Sequence, residues 1–106
     1  MTVDEMYDLF YDKMYVEQEK YRIWLMEQNK EVILNNAYEY AMREDLLMAL
    51  EDLALEASEV KALLEKGVTL DSLYKDYEKM ETDHMQDMRY TIENRAKNLL
   101  CEEIWR

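Results

Sequence analysis

The sequence predicts an all-α protein, a four- or five-helix bundle with long N- and C-terminal helices. The 106 residues include one glycine and no proline, so they lack the turn chemistry that a sandwich, barrel or hairpin-rich fold requires. Hydrophobic residues make up 49% of the chain, which is enough to build a core and excludes wholesale disorder. A chain of this length suits one core, so we expect residues 1–106 to form a single helical domain.

The first helix is predicted to begin at a capping box. Thr2 and Glu5 have the spacing at which a hydroxyl and a carboxylate each accept a backbone N–H of the first turn. Apolar residues then repeat along one broad side of the helix, whereas Leu9, Val16 and Ile23 fall nearly opposite, seven residues apart. We expect this thin second seam to be covered by another helix of the fold or by a partner chain.

The middle of the chain is predicted to contain several shorter helices. Asn29 suits the N-cap of a second helix because its side chain can accept an unpaired backbone N–H. The apolar positions rotate by more than about 100° beyond that helix, so we place a break or kink near residues 43–45, with Asp45 as the next cap. A weaker break is predicted between Asp52 and Ser58.

The last helix is predicted to be the longest. Gly67 suits the left-handed residue that ends a helix, and Thr69 suits the N-cap of the next one. Apolar residues follow at intervals of three or four from residue 70 towards residue 104, without a helix breaker. We expect one continuous helix over that range, packed against the first helix.

One histidine is the main candidate for chemistry. Glu81 and His84 have the spacing of metal ligands on a helix, but a di-iron bundle needs two such motifs and the chain has a single histidine. We interpret His84 as a core residue in a polar layer with Glu17, Gln18 and Arg95. An acid–base or metal enzyme around His84 is the alternative. Because the chain lacks an evident nucleophile or phosphate cradle, we predict no enzyme, no catalytic residue, no metal and no cofactor.

Composition excludes further classes. One cysteine, Cys101, rules out an internal disulfide and a paired-cysteine zinc site, and it favours a reducing compartment. No apolar run is long enough to span a membrane and no signal peptide opens the chain, so we expect a cytoplasmic protein. The formal net charge of −12 disfavours direct binding to nucleic acid or to a membrane.

The acidic residues concentrate in the middle of the chain. Residues 31–66 carry nine acids against three bases. If residues 44–59 are helical, Asp45, Asp52, Glu56 and Glu59 form one carboxylate strip, with apolar Met48 and Leu55 pointing outward. A solvated face that keeps the protein soluble is one interpretation, and a surface that docks in a basic groove is the other. The predicted partner-binding residues are Glu44, Asp45, Met48, Glu51, Asp52, Leu55, Glu56 and Glu59.

About four fifths of the chain resembles an uncharacterised family of small, acidic, helical proteins. The matching stretches are EQEKYR (17–22), ILNNAYEY (33–40), RED (43–45) running into LMALE (47–51), ETDHM (81–85) and ENRA (93–96). The resemblance implies no activity or catalytic residue. It implies a context, because members of that family are carried on mobile elements of gut-dwelling low-GC Gram-positive bacteria, where inhibitors of host defence such as anti-CRISPR proteins are common.

Charge and resemblance together lead to two functional hypotheses. The first is a non-enzymatic inhibitor whose acidic surface blocks a basic nucleic-acid-binding protein, such as Cas9 or its guide-RNA complex. The second is a homodimeric structural or regulatory adaptor with no inhibitor role, paired through the Leu9, Val16 and Ile23 seam or through the C-terminal tail around Trp105.

Overall fold

The computed structural model describes residues 1–80 and 84–104, which form five α-helices and, within those ranges, no strand. The helices are α1 (Val3–Met26), α2 (Lys30–Asp52), α3 (Ala57–Glu65), α4 (Leu70–Lys79) and α5 (His84–Ile104). The predicted all-α fold with long first and last helices is confirmed. Glu81 of the predicted Glu81–His84 pair and Trp105 of the C-terminal tail lie outside the described residues.

The helix ends follow the predicted caps. The Thr2 hydroxyl accepts a hydrogen bond from the backbone N–H of Glu5 at 3.1 Å. Asn29 and Thr69 cap α2 and α4 in the same way, each through its own side chain. Gly67 has φ +62°, the left-handed conformation that glycine adopts without strain after α3. Local capping chemistry therefore sets the start of α1, α2 and α4 and the end of α3.

The core is built around α1, which packs against α2, α3 and α4. Phe10 and Met14 lie one helical turn apart, so both face the same neighbours and are almost completely buried. Val60 of α3 and Leu70 of α4 have no exposed surface. The buried core cluster comprises Phe10, Met14, Leu47, Leu50, Val60 and Leu70.

The predicted break at residues 43–45 is wrong, because α2 runs without interruption from Lys30 to Asp52. The rotation of its apolar positions has another cause: α2 packs against both α1 and α4. Leu47 and Leu50 are buried in the core, while Leu46 and Ala49 border a groove that also contains Tyr77 of α4. One continuous helix with two neighbours needs two apolar faces, so the rotation does not require a break.

The predicted break between Asp52 and Ser58 is confirmed, and residues 44–59 are therefore not one helix. Leu53 ends α2 with φ −88° and ψ 137°, and α3 begins only at Ala57. The Tyr7 hydroxyl donates to the carbonyl oxygens of Leu50 and, at 2.6 Å, Leu53. These carbonyls belong to the end of α2, where no further helical turn supplies a donor, so α1 satisfies them instead.

The continuous last helix is also wrong. α4 ends at Lys79, and Met80 has an extended backbone with φ −71° and ψ 132°. Among the described residues, α5 packs against none of the other four helices, so the expected packing of the first and last helices is not found. The radius of gyration is 19.8 Å, compared with about 13 Å for a compact chain of this length.

Candidate protein-binding surface

Five of the eight predicted partner-binding residues lie together on the outward side of α2, and we call them the acidic face. At about 100° per residue they span an arc of about 120°, with Met48 near its middle, and the buried residues Leu47 and Leu50 lie on the other side of the helix. Met48 is 56% exposed. The acidic face comprises Glu44, Asp45, Met48, Glu51 and Asp52.

The other three predicted residues lie beyond the end of α2, which contradicts the single strip of Asp45, Asp52, Glu56 and Glu59. Leu55 lies in the extended connection and is half-buried, so it does not point outward beside Met48. The Glu59 carboxylate accepts a hydrogen bond from the backbone N–H of Glu56 at 3.0 Å, which is a capping interaction at the start of α3. Glu56 and Glu59 are thus separated from the acidic face by the non-helical connection between α2 and α3.

Side chains of α1 hold two carboxylates of the acidic face. Gln18 Nε2 donates to Glu44 Oε1 at 3.0 Å, and Gln18 itself is 1% exposed. The Tyr11 hydroxyl donates to Glu51 Oε1 at 2.8 Å, and this hydrogen bond, with burial and the carboxylate charge, raises the pKa of Tyr11. The phenol therefore keeps its proton as a donor, and both carboxylates have preferred orientations.

The carboxylates of the acidic face form no ion pair with the lysine and arginine side chains of the described residues. In residues 1–80 and 84–104, the ion pairs of lysine and arginine reach other carboxylates, and none reaches the acidic face. Like charges on one helix surface raise the local negative potential, which is strongest where no counter-charge is nearby.

The structure adds two acids that sequence reasoning missed. Asp4 and Asp8 of α1 border the same groove as Glu51, beside the apolar residues Leu53 and Leu55. The spacing of Asp4 and Asp8 places them on one face of α1, and this was the available signal. The sequence does not show which residues lie next to Asp4 and Asp8. The packing of α1 against the end of α2 places Glu51 beside them.

A buried polar network lies next to the acidic face and joins three helices. The Arg43 guanidinium is 2.8 Å from Asp71 Oδ1, 2.9 Å from Glu39 Oε2 and 3.6 Å from Glu17 Oε2. It also stacks 4.2 Å from the centroid of the Tyr21 ring. Burial is the main cause that raises the pKa of Tyr21 to about 12. This network fixes α2 against α1 and α4, and so it positions the acidic face.

The expected polar layer is partly wrong. Glu17 and Gln18 do lie in polar contacts inside the bundle, but their partners are Arg43, Glu44 and backbone groups. His84 and Arg95 are exposed on α5. The core interpretation of His84 therefore fails, because His84 belongs to α5, which packs against no other helix of the described residues.

Two further features to consider in the described residues are a metal site and a membrane-spanning helix. Residues 1–80 and 84–104 contain no group of three side chains able to hold a metal ion together. Among the same residues, none of the helices has both the length and the apolar character needed to cross a bilayer.

The seam predicted opposite the core of α1 is exposed. Leu9, Val16 and Ile23 are 37%, 50% and 54% exposed, respectively. No other helix of the described residues covers this side of α1, so the predicted cover by a helix of the same fold is not found.

Comparison with known proteins identifies the family to which the chain belongs. Residues 7–100 match the model of a family described as "Protein of unknown function (DUF3848)". No curated protein and no solved structure matches the chain.

Proposed function

We propose that this chain, which belongs to the family of unknown function DUF3848, is a non-enzymatic inhibitor that blocks a basic nucleic-acid-binding groove. In this proposal the acidic face lies in the groove of a nuclease of the Cas9 type, or of its guide-RNA complex, and competes with the nucleic acid. The carboxylates of the acidic face occupy the binding site of the nucleic acid, so inhibition requires no chemical modification of the nuclease.

The observation that carries the proposal is the set of uncompensated carboxylates around an exposed methionine. Glu44 and Glu51 are oriented by hydrogen bonds from α1, and the ion pairs of the described residues leave the whole acidic face free of counter-charge. Carboxylates held in place lose little freedom on binding, so more of the electrostatic attraction is retained as affinity. Met48 adds a flexible apolar contact that adapts to an irregular partner surface.

A basic groove fits this surface better than other partners do. Lysine and arginine side chains that bind phosphates can also bind the carboxylates of this helix, because both groups are negatively charged hydrogen-bond acceptors. The acidic face presents several such carboxylates within three helical turns. The net charge of −12 opposes association with nucleic acid itself and accelerates association with a basic protein. The resemblance to proteins of mobile elements supports the same partner class, because such elements gain from blocking host nucleases.

Charge reversal on the acidic face tests the proposal. Asp45 and Asp52 are exposed and lie on the outward side of α2, so D45K/D52K should fold normally. We expect this variant to lose inhibition of Cas9 cleavage and to lose binding to Cas9. Binding of the unaltered chain should also weaken steeply from low to physiological salt, as electrostatic docking does.

The matched control carries the same change in net charge elsewhere. Asp12 of α1 and Asp76 of α4 are exposed and lie outside the acidic face, so D12K/D76K should retain inhibition. Equal loss of inhibition in both double variants would mean that net charge matters and the acidic face does not. If the unaltered chain does not bind or inhibit Cas9, the nuclease part of the proposal is wrong.

A homodimeric structural or regulatory adaptor is the second candidate. It is favoured by the exposed seam of Leu9, Val16 and Ile23, which costs free energy while it remains in water. A chain that inhibits Cas9 as a monomer would favour the first candidate, and a dimer without inhibition would favour the second.

A further inference from the structure

Helix α5 is the largest element of the described structure without a packing partner. It has 21 residues, contacts none of the other four helices, and exposes 63% of Met85 and 70% of Ile92. Isolated helices in water are marginal, and most helices in proteins are stabilised by packing an apolar face. A helix of this length with an apolar face is therefore expected to be covered in the functional state.

Leu100 and Tyr90 project from other sides of the helix, and five further apolar residues of α5 form one stripe, which we call the α5 stripe. At 100° per residue they fall within an arc of about 80°, and polar or charged residues occupy most of the opposite side. The intervals along the stripe are three, four, four and three, so the pattern is the same in both chain directions about Ile92. The α5 stripe comprises Met85, Met88, Ile92, Ala96 and Leu99.

We propose that α5 pairs antiparallel with α5 of a second copy of this chain, with the two-fold axis at Ile92. A two-fold axis perpendicular to the helices reverses the chain direction, and the α5 stripe is then superposed on an equivalent stripe. This self-complementarity is what an isologous interface requires. The inference deepens the second candidate function and is independent of the acidic face.

Charges beside the α5 stripe complement each other in the same arrangement. On one flank, the two-fold axis brings Arg89 close to Glu93 of the second copy. On the other flank, it brings the His84 ring close to the Glu102 carboxylate of the second copy, where an imidazole N–H can donate a hydrogen bond. Each of these contacts occurs twice, and opposite charges at the edges of a helix pair select its orientation and register.

Net charge also favours α5 over the two other long helices, α1 and α2, as the point of contact. Four acids and three bases make α5 nearly neutral, while the whole chain has a formal charge of −12. Two copies that meet through α5 keep most of their carboxylates apart, so their mutual repulsion is small.

Two substitutions on opposite sides of α5 test the pairing. Ile92 lies in the α5 stripe and is 70% exposed, whereas Tyr90 lies on the other side and is 67% exposed. Neither side chain is in the core, so both variants should fold. By sedimentation equilibrium, we expect a dimer whose dissociation constant rises at least about tenfold in I92E, because a carboxylate is then buried at the two-fold axis. Y90E should dimerise like the unaltered chain.

The charge pairs and Cys101 test the orientation. R89E and E93R should each weaken the dimer, and the double variant R89E/E93R should restore it. Cys101 is exposed and lies away from the α5 stripe, so a spin label there leaves the interface intact. Antiparallel pairing separates the two labelled positions by about 27 Å along the helix axis, and parallel pairing brings them level.

Several outcomes would overturn the inference. A chain that stays monomeric at all concentrations, or a dimer that I92E and Y90E weaken equally, would contradict pairing through the α5 stripe. Labels at Cys101 that lie level would contradict the antiparallel arrangement. The cleavage assay with D45K/D52K reports on the acidic face alone, so each proposal can fail separately.

Discussion

The Glu17 carboxylate lies 3.6 Å from the Arg43 guanidinium and at the same time caps the start of α4. Its two oxygens accept hydrogen bonds from the backbone N–H groups of Leu70 and Asp71, at 3.1 and 2.7 Å. These N–H groups belong to the first turn of α4, where the helix itself provides no acceptor. One side chain of α1 thus connects α2 to the start of α4.

Removing the Arg43 guanidinium should destabilise the protein more than any exposed charge does. Arg43 is 4% exposed and lies among three carboxylates, so R43M leaves Glu17, Glu39 and Asp71 close together without their cation. We expect a loss of about 3 kcal/mol in the free energy of unfolding, measured by urea denaturation. The control K61M removes one exposed ion pair with Glu65 and should cost less than about 1 kcal/mol. Similar losses in both variants would contradict the structural role given to Arg43.

Neutralising Glu17 should weaken the start of α4. In E17Q the amide keeps an oxygen acceptor but loses its charge, so it interacts less with Arg43 and with the positive end of the helix dipole. We expect a loss of about 1 kcal/mol in the free energy of unfolding, together with faster hydrogen exchange at Leu70 and Asp71. E27Q, at an exposed position after α1, is the control and should leave exchange in α4 unchanged. Unaltered exchange in E17Q would refute the cap.

Deleting the Tyr7 hydroxyl should loosen the end of α2. In Y7F the carbonyl oxygens of Leu50 and Leu53 lose their donor from α1. We expect a cost of about 1 kcal/mol and a local increase in hydrogen exchange around residues 50–56. Tyr15 is 50% exposed, so Y15F should change the stability by less than about 0.5 kcal/mol. An effect of Y15F as large as that of Y7F would argue against this contact.

Acid should weaken the contact between α2 and α4. The hydrogen bond and charge of Lys75, together with the Arg43 guanidinium, hold the pKa of Asp71 below its usual value. A carboxylate with a lowered pKa in the folded state contributes stability above its unfolded pKa, and that contribution is lost as the pH falls through the folded value. We therefore expect part of the stability to disappear below about pH 4, and D71N to remove that part of the acid dependence. D76N, an exposed control on the same helix, should keep the full pH profile; identical profiles for the two variants would contradict the assignment.

The parts of the fold that sequence reasoning predicted correctly are those set by neighbouring residues. Thr2, Asn29 and Thr69 each cap a helix through the N–H group three residues later in the chain, and Gly67 needs only its own backbone freedom. Such signals do not depend on what the helix later packs against. They allowed four helix boundaries to be located without the structure.

The errors concern relationships between distant elements. The sequence pattern predicts a helix break or kink near Arg43, yet Arg43 is buried within α2 because Glu17 and Asp71, 26 and 28 residues away, pair with it there. The end of α4 at Lys79 has neither glycine nor proline to indicate it, and the misplacement of His84 and Arg95 followed from that missing signal. Five residues of the candidate surface lie on one side of α2, because they share one helix and their spacing alone decides which side they occupy.

Exposure of the methionine side chains makes the molecule's outer surfaces more sensitive to peroxide than its interior. Six of the nine methionines are exposed, including Met48 in the acidic face and Met85 and Met88 on α5, whereas Met14 is sealed in the core. Oxidation to the sulfoxide makes such a side chain polar. Mild oxidative stress would therefore alter the faces available to partners while the folded bundle persists, and enzymatic reduction would restore them.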